Sequence, residues 1–163
     1  MSETTPGFLV VRRSIHIQAP PEMVWKAFAS FKEMNRWWGF MTGIPDAGKS
    51  NGQRLVVYEP EVGGRIEMEV LFNGAPTKYG GIIVVFEPAS ELTFECDWIP
   101  NQGWLRPTML TIRLTKALDG TLVELMHHGF EHTGVRGRAD HAEYEGGWSM
   151  VQLIALRRLV EGK

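Results

Sequence analysis

The end of the chain places the strongest constraint on its fold. After roughly seven strand-like segments, residues 140–160 carry one unbroken amphipathic pattern. Tyr144, Trp148, Val151, Ile154, Ala155 and Leu159 recur at three- and four-residue spacing, and Met150, Leu153, Leu156 and Val160 widen the stripe. The spacing predicts a single helix. Asp140 and Glu143 at its start have the form of a capping box, whose carboxylates would take the free N–H groups of the first turn. About 20 helical residues span about 30 Å, the width of a small domain. Such a helix needs a sheet to lie on, and a curved sheet would leave an enclosed space beneath it. Gly146 and Gly147 each cost on the order of 1 kcal/mol relative to alanine. They are expected where the helix approaches a strand closely or bends over that space.

The preceding segments read as a sheet with a short helical insert. Residues 8–18 form a strand with Val11, Arg13, Ile15 and Ile17 on one face. Ala19-Pro20-Pro21 stops it, and proline is accepted in a first helical turn, so helices follow over 22–29 and 32–38. Residues 43–52 form a polar loop. Hairpin strands are then expected over 53–59, 65–72, 79–87, 92–98, 108–115 and 121–130, with turn signals such as Gly63-Gly64, Asn73-Gly74 and Asp119-Gly120 between them. Residues 79–87 are apolar on both faces. Strands in sequence with helices gathered on one side predict an α+β fold, a curved antiparallel sheet wrapped around a long C-terminal helix, as one domain over 1–163.

Composition narrows the function. The chain has 163 residues, a net charge of -2 and 44% hydrophobic residues. No surplus of positive charge suits a phosphate backbone, so nucleic acid is not an expected partner. Cys96 is the one cysteine, so no internal disulfide forms. There is no 18-residue apolar run and no basic, hydrophobic leader, so no membrane partner is expected and the location is read as cytoplasmic. Six tryptophans and eight methionines suit an adaptable apolar pocket.

Four stretches in order resemble the START/Bet v 1-like (SRPBCC) superfamily and its helix-grip fold. These are Arg13 with Ala19 to Ala27, Asn35-Arg36-Trp37-Trp38-Gly39, the hairpins from Gly63-Gly64-Arg65 through Leu92-Thr93-Phe94, and Leu125 to Phe130 with Gly147-Trp148. The pattern is most similar to bacterial homologues of the C-terminal domain of the activator of heat-shock protein 90 ATPase. Two features depart from it. Glu59 and Glu61 stand where an Asp-x-Arg pattern usually precedes the double glycine, and Gln152 stands where leucine is usual. The eukaryotic activator also has an N-terminal chaperone-binding domain for which this chain has no room, which counts against a chaperone partner.

Among candidate residues His127 is the sharpest. It shares parity with Val123 and Leu125, so it is expected to point inward, as an acid or base, as a ligand anchor, or as a core histidine satisfied by a backbone carbonyl. The last reading carries more weight, because nothing in the sequence names an activating partner. His128 must point the opposite way, so the pair cannot chelate one metal. No metal site and no cofactor are expected. Trp38, Trp98, Trp104 and Trp148, with Tyr79 and Gln152, are the other candidate ligand-binding residues, each also readable as packing. Trp37 reads as core. Arg65, Glu67, Glu69 and Glu124 read as a solvated strand face, and Cys96 as an inert buried thiol. Three functions are expected in this order: binding of a small hydrophobic or amphipathic ligand; a protein-interaction role like that of the chaperone-ATPase activator, with residues 79–86 as contact patch or homodimer surface; and a polyketide cyclase or dehydratase-like enzyme using His127.

Overall fold

The computed structural model describes residues 9–38, 53–72 and 75–162. Gly39, the loop at 43–52 and the turn at Asn73-Gly74 lie outside these residues. The elements run β1 (Val11–Ile17), α1 (Pro21–Trp25), a 3-10 turn (Lys26–Phe28), α2 (Phe31–Asn35), β2 (Gln53–Tyr58), β3 (Arg65–Phe72), β4 (Ala75–Glu87), β5 (Glu91–Ile99), β6 (Thr108–Ala117), β7 (Gly120–His128), a second 3-10 turn (Phe130–His132), α3 (Gly137–Gly147) and α4 (Val151–Glu161). The described strands form one antiparallel sheet in the order β1-β7-β6-β5-β4-β3-β2. The first strand therefore closes beside the last, and everything between is a meander of hairpins.

Pleat parity places the core. Val11, Ile15 and Ile17 of β1, Leu92, Phe94 and Cys96 of β5, Leu110, Ile112 and Leu114 of β6, and Val123 and Leu125 of β7 are all buried on the inner face. The ambiguous strand resolves through a register shift between Ile83 and Val85 of β4, with a second shift between Leu55 and Val57 of β2. Such irregularities bend a strand and sharpen its twist. Gly80-Gly81 deepens the curve. A Cβ on Gly80 would run into the Ile66 carbonyl, and one on Gly81 into the Glu95 carbonyl, so neighbouring backbones close in on both sides.

The short helices seal one end of the concave face. Pro21 occupies the first turn of α1, and Ser30 Oγ caps α2 by accepting the Glu33 N–H at 3.2 Å. Trp37 Nε1–H donates to the Ala27 carbonyl at 2.9 Å, and Tyr58 O–H to the Phe28 carbonyl at 2.6 Å. Trp25 stacks on Phe28, and Phe28, Trp37 and Trp38 continue the row edge to face, with successive ring centroids 4.8–5.4 Å apart.

The predicted C-terminal helix is interrupted. It begins three residues before Asp140, at Gly137, stops at Gly147, and resumes at Val151 after an extended Trp148. The capping box does not form: Arg136 is the N-cap residue, and the Asp140 carboxylate instead accepts the Trp104 indole N–H at 2.9 Å. A Cβ on Gly146 would meet nothing within 4 Å, so this glycine accompanies a break and not a close approach. Arg13 takes two carbonyls at this break, its Nη2 donating to Glu145 O in the last turn of α3 at 2.8 Å and to Trp148 O just beyond it at 3.1 Å. The inward arginine of β1 thus holds the break in place. Beyond it, α4 buries Gln152, Leu153 and Leu156 against the sheet.

Candidate functional site

At the end of the concave face away from α1 and α2, the inner residues of β4, β5 and β7 meet α3. Tyr79 and Trp98 are register partners with ring centroids 5.8 Å apart. His127 lies 4.9 Å from Tyr144, 4.8 Å from Phe130 and 5.9 Å from Trp148, centroid to centroid. Trp104 approaches Tyr144 at 6.3 Å and Phe130 at 6.4 Å. Five of the seven expected ligand-binding residues therefore converge here: Tyr79, Trp98, Trp104, His127 and Trp148. Trp38 is fully buried behind them, 6.4 Å from Trp148. Gln152 is buried in the first turn of α4, four residues beyond Trp148.

Tyr79, Trp98, Trp104, Tyr144 and Trp148 are only half-buried. Burial raises the Tyr79 hydroxyl well above its ordinary pKa, with neighbouring Cys96 and Tyr144 acting in the same direction. Burial likewise raises Tyr144, against a hydrogen bond from Trp98. Both phenols stay protonated. The Cys96 thiol is pushed up to about 12, chiefly by burial, so it is no nucleophile at neutral pH.

His127 is 1% exposed and makes two side-chain hydrogen bonds. The Trp148 indole N–H donates to Nδ1 at 3.1 Å. An indole can only donate, so Nδ1 is the acceptor and the imidazole proton sits on Nε2. Nε2–H then donates to Thr108 Oγ1 at 2.7 Å, and the Thr108 hydroxyl donates to the Cys96 carbonyl at 2.7 Å. One proton arrangement satisfies the whole column. Burial, followed by the neighbouring His128 and His141, lowers the His127 pKa to about 3. The expected backbone carbonyl partner is replaced by a threonine and a tryptophan.

His128 faces the opposite side of the sheet, as its position dictates. Its Nε2 lies 3.0 Å from Thr111 Oγ1, Thr111 Oγ1 lies 2.9 Å from Thr93 Oγ1, and the Thr93 hydroxyl donates to Glu91 Oε2 at 2.6 Å. Arg113 closes this second column by donating to Glu91 Oε1 at 3.2 Å. The outer carboxylates Glu67 and Glu69 pair with Arg65 and Arg54, each at 2.9 Å. Also on the outer face, Glu95, Arg106, Pro107, Met109, Gly129 and His132 line a shallow recess. Among the described residues, no three His, Cys, Asp or Glu side chains gather to hold a metal, and no helix is long and apolar enough to cross a membrane.

Three participants escaped the sequence reading of the site. Thr108 carried a signal, as a lone hydroxyl at inward parity with Leu110 and Ile112. Tyr144 was visible only as part of the helical stripe. Arg13 shares the inward face of β1, but its role depends on a helix break that local spacing does not announce.

The protein-family model described as polyketide cyclase/dehydrase and lipid transport matches residues 9–160. No curated protein matches the chain. Among solved structures, protein CV1439 from Chromobacterium violaceum superposes with a TM-score of 0.67 at 20% identity, over 95% of this chain and 99% of that one. DynU16, a putative protein in the dynemicin biosynthetic locus, gives 0.64 at 19% identity over 94% of this chain and 48% of its own. The Aha1 dimer from Colwellia psychrerythraea gives 0.60 at 18% identity, over 93% and 96%. These likenesses establish the helix-grip fold that the sequence resemblance implied. With a family model matched from β1 to the end of α4, the chain belongs to the polyketide cyclase/dehydrase and lipid transport family of the SRPBCC superfamily.

Proposed function

We propose that this protein binds a small hydrophobic or amphipathic molecule between the concave sheet and the interrupted helix, against Tyr79, Trp98, Trp104, Tyr144 and Trp148. The observation that carries the reading is that these large rings converge yet stay only half-buried. Apolar rings with a few hydroxyl and N–H groups are what a ligand site of this class requires. Family membership supports the same reading. His127 serves the site by orienting Trp148. Both of its nitrogens are engaged, and a proton added to Nδ1 would face the Trp148 N–H directly. Acid–base chemistry by His127 would first have to break that bond, so binding takes precedence over a cyclase or dehydratase role.

Native mass spectrometry of protein purified from its own host, followed by a thermal-shift screen with fatty acids and polycyclic aromatics, tests the proposal. Ligand at 100 times its Kd adds about 2.7 kcal/mol, or about 5–10 °C in Tm for a domain of this size. Absence of both a retained mass and any shift across the two ligand classes would refute it.

A further inference from the structure

Within the aromatic cluster, one polar hydrogen is left to give. Tyr144 is half-buried, with its ring 4.9 Å from His127 and 6.3 Å from Trp104. Trp98 donates to its hydroxyl. Among the described residues, no acceptor takes the Tyr144 proton in turn. The N–H groups around it are already used: Trp148 Nε1–H on His127, His127 Nε2–H on Thr108, and Trp104 Nε1–H on Asp140. The charges that act on the Tyr144 hydroxyl are negative. Asp140, 15% exposed, lies one turn before Tyr144 on the same face of α3. Burial is the largest influence that keeps the phenol protonated, and Asp140 and Glu143 add to it by disfavouring a further negative charge. Arg136 approaches Asp140 at 3.8 Å but is 69% exposed, so water and salt screen it. Arg13, the inward cation of β1, is occupied by the carbonyls of Arg12, Glu145 and Trp148. A carboxylate brought to Tyr144 would lose water without gaining a counter-ion among the described residues. A carbonyl oxygen would accept the same O–H without that loss.

We propose that Tyr144 is the polar anchor of the ligand site, and that the site selects uncharged ligands bearing a carbonyl-type acceptor over the matching carboxylates. The inference rests on the reading that the aromatic cluster binds a small hydrophobic molecule, and it narrows that molecule's chemistry. The rings of Tyr79, Trp98 and Trp148 supply apolar surface for the ligand body. Tyr144 fixes the direction of its one polar end, and Asp140 with Glu143 sets the penalty against a negative charge there.

Titration of the intact protein at neutral pH with naphthalene, methyl naphthoate and naphthoate, followed by NMR on the tryptophan indole N–H signals, tests this. The ester is expected to bind more tightly than the acid by about tenfold or more. Tyr144→Phe is expected to weaken the ester by about 3–10-fold relative to naphthalene, a ratio that lost ring packing would not move. Asp140→Asn with Glu143→Gln keeps an acceptor for Trp104 and is expected to narrow the ester-to-acid ratio. Naphthoate that binds as well as the ester overturns the proposal and leaves the ligand reading standing. So does a Tyr144→Phe variant that weakens naphthalene and ester equally, or a ratio that the paired amide variant does not move. Failure of all three compounds to shift any indole signal refutes the ligand reading itself, and the anchor with it.

Discussion

At the scale of single residues, the column Trp148–His127–Thr108–Cys96 makes each member's role testable by its proton. Trp148→Phe keeps most of the ring and removes the N–H, leaving Nδ1 buried without a donor. A buried polar group so orphaned costs about 1–3 kcal/mol. The variant is expected to melt earlier by that amount in urea titrations, and the His127 pKa is expected to rise by NMR, because Nδ1 becomes free to take a proton. An unchanged midpoint would mean that the indole bond contributes nothing. The histidines also set an acid limit. Folded His127 titrates near 3 and His128 near 4, while both take a proton near 6.5 when unfolded. Below pH 6.5 the unfolded chain therefore binds protons that the folded chain refuses, and stability falls as pH drops toward those folded values. Each histidine contributes a slope of about 1.4 kcal/mol per pH unit once pH is below its unfolded pKa. His128→Gln, which retains a donor for Thr111, is expected to halve the slope measured by urea unfolding between about pH 6 and about pH 5. A flat profile would contradict the assignment of both groups as buried and neutral.

At the scale of elements, the instructive case is the helix that broke. The stripe through Tyr144, Val151 and Ile154 is continuous, and local spacing alone favours one helix over 140–160. What divides it comes from elsewhere in the chain: Arg13 claims the carbonyls of Glu145 and Trp148, and His127 claims the Trp148 indole. Gly146→Ala separates local from distant causes. With open space around the new methyl group, alanine is expected to raise stability by about 0.5–1 kcal/mol while leaving the far-UV circular dichroism unchanged. A gain of about one helical turn would show instead that the glycines alone make the break. The strands behaved differently, because pleat parity is local: the inward sets of β5, β6 and β7, and the opposed directions of His127 and His128, follow from alternation alone. Residues 79–87 resisted that reading because β4 is apolar on both faces and shifts register at Ile83. The same division holds at the candidate site. The inward parity of His127 and Trp98 was legible, whereas Tyr79 lies on the ambiguous strand, and Thr108, Tyr144 and Arg13 join the cluster only when separate elements are brought together.

At the scale of the whole molecule, stability is distributed unevenly, and this bears on how a ligand would enter. Strands β5 to β7 carry a dense set of fully buried side chains as well as both hydrogen-bonded columns. None of the described side chains of α3 is fully buried, and the helix is tied to the sheet through Arg13, Trp104–Asp140 and the rings around Tyr144. Elements held by few buried apolar contacts open at lower free energy than the global unfolding event. Amide hydrogen exchange is therefore expected to show β6 and β7 exchanging only with global unfolding, and α3 with residues 100–107 exchanging earlier through a separate opening. That opening would uncover Tyr79, Trp98 and Tyr144 while α4 stays seated through Leu153 and Leu156. A bound hydrophobic molecule would then slow exchange in α3 and residues 100–107 more than in β6. Protection that rose equally everywhere would place the ligand in contact with the global fold alone, and protection confined to β1 to β3 would move the site to the opposite end of the sheet.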